Sequence, residues 1–72
     1  MNIKNHTITL KTEFITLGQV LKLINAVSTG GEVKNFLTNN LVKVNNKPEN
    51  RRGRKLYKGD VVDFNSYEIT LE

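Results

Sequence analysis

The chain has no cysteine and no tryptophan, one proline, one histidine, and no run of aliphatic or aromatic residues longer than two. Each absence removes a class of explanation. Without cysteine there is no disulfide and no thiolate-metal staple. A domain of 72 residues, which buries only about 60% of its unfolded surface, must then be held by a compact apolar core. Apolar runs of two exclude a transmembrane helix and the core of a signal peptide, so the cytoplasm is the expected compartment. Catalysis has little to work with: His6 falls in an N-terminus expected to fray, and pairs of the Cys-His or Ser-His kind lack support. Asp60 and Asp63 are the spare carboxylates. Asp60 belongs to a Gly-Asp turn and Asp63 alternates with apolar neighbours on a strand, so no catalytic residue, metal, cofactor or small-molecule substrate is assigned.

What the chain does have is positive charge in one place. Residues 43–58 carry Lys43, Lys47, Arg51, Arg52, Arg54, Lys55 and Lys58 against Glu49 alone, a local +6 within a net +4, whereas residues 59–72 carry four acids and no base. Such a patch points toward a polyanion, nucleic acid before an anionic membrane.

Hydrophobic periodicity organises the rest. Residues 7–11 alternate as a half-buried strand does, with Ile8 and Leu10 on one face. Leu17, Val20, Leu21 and Ile24 form one helical stripe. Thr16 and Gln19 have capping-box spacing and Ile15 and Val20 that of a hydrophobic staple, which predicts a helix over residues 17–25. Thr29 and Glu32 repeat the capping-box spacing before Val33, Phe36 and Leu37, predicting a second helix three or four residues after the first and ending at Asn39-Asn40 in the left-handed region. The period then changes to two. Strands are expected through Val42 and Val44, around Leu56, through Val61-Phe64 and through Tyr67-Leu71, with turns at Asn45-Asn46, Lys58-Gly59-Asp60 and Asn65-Ser66. One core should gather Val20, Leu21, Ile24, Phe36, Leu37, Val44, Val62 and Ile69.

Residues 48–55 hold no apolar residue but Pro48 and read as a solvated loop that contributes little to the fold. Its arginines offer fixed forks of donors for phosphate. Thr29-Gly30-Gly31 supports two readings: bare amides at a helix start that approach a phosphate closely, or a tight corner where a Cβ would clash. Lys34 stands one turn along on the outward side. The candidate site is Thr29, Gly30, Gly31, Lys34, Lys47, Arg51, Arg52, Arg54, Lys55 and Lys58. Phe14, Phe36 and Phe64 fall at apolar positions and only Tyr57 borders the patch, its ring expected inside and its hydroxyl outside. Scarce stacking aromatics favour reading the backbone and shape of a folded RNA over reading a single strand.

The order of elements and several residues resemble the RNA-binding domain named after ribosomal small-subunit protein four. Leu17 to Leu21 matches that family's first helix element, and Ser28-Thr29 its Ser-Arg helix start. Asn40 to Asn46 matches its Gly-x-Val-x-Val-Asn-Gly strand, and Lys58-Gly59-Asp60-Val61-Val62 its later Gly-Asp. The resemblance covers residues 14–64. The segments Leu-Gly-Gln-Val-Leu-Lys, Ser-Thr-Gly-Gly-Glu and Pro-Glu-Asn-Arg-Arg-Gly-Arg-Lys look like the short stand-alone YaaA-type bacterial members. Thr29 replaces the family arginine, Gly18 an acidic residue, and Asn40 and Asn46 two glycines.

The resemblance implies an α+β fold, a two-helix hairpin on a small antiparallel sheet, as one domain over residues 1–72. It further implies a monomer that binds RNA, ribosomal RNA or an assembling subunit, across helix two and the basic loop. Two rivals belong to other classes: a module binding an acidic protein partner, and a ubiquitin-like carrier, whose Gly-Gly tail the ending Thr70-Leu71-Glu72 lacks.

Overall fold

Thr16 begins the first helix as its spacing requires. In the computed structural model, which describes residues 3–72, its hydroxyl accepts from the Gln19 amide at 3.3 Å while its own amide donates to Gln19 Oε1 at 2.9 Å. Helix α1 spans Leu17–Leu23, two residues shorter than the apolar stripe suggests. Asn25 stops it by entering the left-handed region at φ 61°, a conformation asparagine tolerates. The connection through residues 24–29 is longer than expected, because Val27 folds back into the core and its amide, like that of Ala26, bonds to the Leu21 carbonyl.

Helix α2 spans Gly30–Asn39. Its spacing signals translate less directly. The Thr29 side chain makes no hydrogen bond to the helix backbone; its hydroxyl donates to Glu32 Oε1 at 3.3 Å, so side chain meets side chain and the capping box does not form. The far end is also not left-handed. Asn40 is extended at φ −131°, and both its amide and its side-chain Nδ2 donate to the Phe36 carbonyl, closing the helix with a side-chain clamp.

Strands β1 (Lys4–Ile8), β3 (Val42–Val44), β4 (Lys47–Pro48), β6 (Val61–Phe64) and β7 (Tyr67–Leu71) form a sheet in the order β1-β7-β6-β3-β4. The sheet is mixed. Pairs β3–β4, β3–β6 and β6–β7 are antiparallel, but β1 runs parallel to β7 with His6 opposite Ile69. His6 therefore sits in a strand, which starts three residues earlier than the alternation indicated. A parallel neighbour cannot come from a hairpin, so chain-order reading misses it. Asn45 and Asn46, at φ 52° and 69°, supply the two left-handed residues of the tight β3–β4 turn. A separate ribbon pairs β2 (Ile15–Thr16) with β5 (Lys55–Leu56).

Both helices cover one face of the sheet. The core joins Leu17, Val20 and Leu21 of α1 and Val33 and Leu37 of α2 to Val42, Val44, Val62, Phe64, Ile69 and Leu71 of the sheet and Leu56 of the ribbon. Six of the eight expected core residues are buried. Ile24 and Phe36 pack at the rim instead, where the Phe36 ring stands edge-on to Phe64 at 5.2 Å. Leu21 has no exposed surface, so Leu21→Ala is expected to cost about 2 to 5 kcal/mol, read as a lower urea midpoint at unchanged slope.

Candidate nucleic-acid interface

The first amides of any helix need acceptors from outside it. At α1 the basic loop supplies them: Leu17 N–H donates to the Arg54 carbonyl and Gly18 N–H to the Arg52 carbonyl, each at 2.9 Å. The loop is thus docked by its backbone. Gly18 stands at this crossing. A Cβ there would already touch the Arg52 carbonyl oxygen at 3.4 Å, Val33 Cγ1 at 3.5 Å and Arg52 Cβ at 3.6 Å, so a longer side chain would lift the loop from the helix. Gly18 thus lies against both Arg52 of the loop and the Val33 side chain of α2.

The expectation of a freely solvated loop is corrected here. The Glu49 side chain retains only 7% of its exposure and joins two arginines: Arg51 Nε and Nη2 donate to its two oxygens at 3.0 and 3.1 Å, and Arg54 Nη1 donates to Oε1 at 2.8 Å. A buried carboxylate loses its hydration and requires such partners. Arg51 remains 72% exposed at its side chain and Arg54 39%, so both hold the loop together and face solvent in part. Lys47 and Lys55 fall on strands β4 and β5, not in the loop.

The start of α2 contrasts with that of α1. Among the described residues no side chain caps α2, and no hydrogen-bond acceptor is found for the Gly30 and Gly31 amides. A Cβ at Gly30 would meet nothing within 4 Å and one at Gly31 only the Thr29 hydroxyl at 3.9 Å. The tight-corner explanation of the glycine pair is therefore wrong: the space is open.

Nine of the ten candidate residues, all but the half-buried Arg54, are exposed. Among the described residues Lys34, Lys47, Arg52, Lys55 and Lys58 form no ion pair. Asp60, one of the spare carboxylates, is occupied structurally, accepting from the Tyr57 amide at 2.7 Å and from Asn45 Nδ2 at 3.1 Å. Asp63 faces the open side of the sheet between Lys43 and Glu68, with Oδ1 buried and unpartnered. Among the described residues no cluster of three His, Asp or Glu could hold a metal, and no helix is long and apolar enough to cross a membrane.

The family profile described as S4 domain matches residues 8–72. A relative from Bacillus subtilis (strain 168), "Probable ribosome maturation protein RlbA", is 52% identical over 65 residues, covering 86% of this chain and 92% of the relative. The chain belongs to the S4 domain family. Within this S4 domain the departures noted in the sequence acquire reasons. Gly18 is where the basic loop crosses α1. Asn46 occupies a left-handed turn position, whereas Asn40, being extended, needs no glycine-like freedom. Residue types and spacing passed over Gly18 and Glu49, because a small residue and an isolated acid signal nothing until their neighbours are known. Tyr57 was expected to bury its ring and is instead 46% exposed.

The Arg51 side chain, helped by Arg54, holds the Glu49 carboxyl at a pKa of about 2, below its ordinary 4.5. A lowered folded-state pKa stabilises the fold fully above the unfolded value and loses that contribution as pH falls toward the folded one. Stability of the S4 domain should therefore decline between about pH 4.5 and 2, and Glu49→Gln should remove that part of the decline while lowering stability at pH 7. Thermal melts of both proteins across this range check it.

Proposed function

We propose that this S4 domain is a non-catalytic, monomeric RNA-binding protein of the cytoplasm that grips structured RNA through phosphates. The contacts come from the start of α2 and from the basic segment, and the target is ribosomal RNA or an assembling ribosomal subunit. The observation that carries this reading is the unequal treatment of the two helix starts. One is capped by the loop's carbonyls; the other keeps unpartnered glycine amides in open space, and Arg52 is exposed on the loop that crosses α1 at Gly18, where the Val33 side chain of α2 also lies. Positive helix ends with accessible amides are natural phosphate sites, and the guanidinium adds a charged fork. Membership of the S4 domain family supports RNA as the polyanion, and the name of the Bacillus subtilis relative, a ribosome maturation protein, supports a ribosomal target.

The test separates the side chains that hold the loop from those free to bind. Replacing Lys34, Arg52, Lys55 and Lys58 by alanine leaves the Glu49 ion pairs intact, so the circular dichroism spectrum should not change. Each phosphate contact contributes about 0.7 to 0.9 to the slope of log affinity against log salt, so the variant's slope on a structured ribosomal RNA fragment should flatten by about 3. An unchanged slope in the folded variant would place the RNA surface elsewhere.

A second variant isolates the helix start. Alanine at both Gly30 and Gly31 meets no clash and favours helix by up to about 1 kcal/mol per residue, yet it screens the amides. Thermal stability should hold or rise while RNA affinity falls.

A further inference from the structure

Tyr57 is a large exposed ring in the most basic stretch of the chain. Residues 51–58 contain five cationic side chains and no acid, and Tyr57 lies between Lys55 and Lys58 with 46% of its surface open. The other exposed large apolar residues, Ile3, Leu23 and Leu41, fall outside that stretch. Ile15 and Leu56 form the inward pair of the β2–β5 ribbon. Tyr57 extends the outward row, its ring 6.1 Å from that of Phe14 and tilted by 52°, while Lys55 Nζ stands 4.9 Å over the Phe14 ring.

The ring's backbone is also held firmly. The Asp60 carboxylate accepts from the Tyr57 amide, the Asp60 amide donates to the Tyr57 carbonyl at 3.0 Å, and Asn45 ties Asp60 to β6 by accepting from the Val61 amide at 2.9 Å. Gly59, at φ 95°, completes the turn. An exposed aromatic on a backbone already held loses less conformational freedom on binding, and a base stacked on such a ring contributes regardless of its identity.

We propose that Tyr57 is a stacking platform for one unpaired nucleobase of the bound RNA, with Lys55 and Lys58 meeting the phosphates on either side. This rests on the RNA-binding reading above and narrows the target to folded RNA that carries an unpaired base beside its duplex. Backbone contacts alone would not distinguish such an RNA from a flush duplex.

The test titrates the full chain against two RNA hairpins that differ only by a single-nucleotide bulge carrying 2-aminopurine. The bulged hairpin should bind more tightly, and its fluorescence should fall as the base stacks. Tyr57→Ala and Tyr57→Leu should each weaken binding to the bulged hairpin by about 5- to 150-fold, the span of one base-aromatic stack. They should leave the flush hairpin unaffected and the salt slope unchanged, and Tyr57→Phe should bind as the parent does. Leucine keeps apolar bulk, so a melt matching the parent's separates stacking from folding. Equal binding of both hairpins by the parent, unquenched fluorescence, or parent-like affinity of Tyr57→Leu for the bulged hairpin would overturn the platform while leaving RNA binding in place. A parent that binds neither hairpin would overturn the RNA-binding reading and this inference with it.

Discussion

The amides that open α1 must find acceptors, and two of them find the carbonyls of Arg54 and Arg52. Much of the molecule's character follows from that demand. A stretch with no apolar side chain but Pro48 is poorly held down by hydrophobic burial, so its attachment relies on backbone hydrogen bonds, made where the loop crosses Gly18. Crowding arginines together would by itself push the loop open, and Glu49 counters this from inside with bonds to Arg51 and Arg54. The lone acid of the basic stretch is thus its internal counterion.

Docking the loop has an electrostatic consequence. A flexible basic segment would have to be ordered whenever it met an anion, and that ordering opposes binding. Here much of the ordering has been met during folding. Arg52 and Lys55 project from a backbone already fixed to α1 and to the β2–β5 ribbon, and charge held in one place steers an approaching polyanion more effectively than charge that is scattered.

Two of the acids are grouped on the sheet. Asp63 and Glu68 are neighbours across β6 and β7 on the side of the sheet away from the helices, with Lys43 on β3 beside them. The two helix starts are similarly divided in role. The first is consumed by the loop as structure, and the second is left with bare amides because glycine supplies neither a cap nor a covering side chain.

What the sequence determined by itself was whatever depends on residues a few positions apart. The Thr16-Gln19 capping box, the apolar stripes of both helices, the Asn45-Asn46 turn and the concentration of charge were legible because their physics is local. Most core residues followed, since a period of burial identifies an inward face without identifying what it meets. Tertiary structure decided the rest. The parallel pairing of β1 with β7 joins the two ends of the chain, and nothing local marks it. The burial of Glu49 and the openness around Gly30 depend on which segments become neighbours. The docking of the basic loop was the least legible of all, because it is made by backbone carbonyls and amides, which every residue but proline possesses in equal measure and which therefore leave no trace in the choice of side chains.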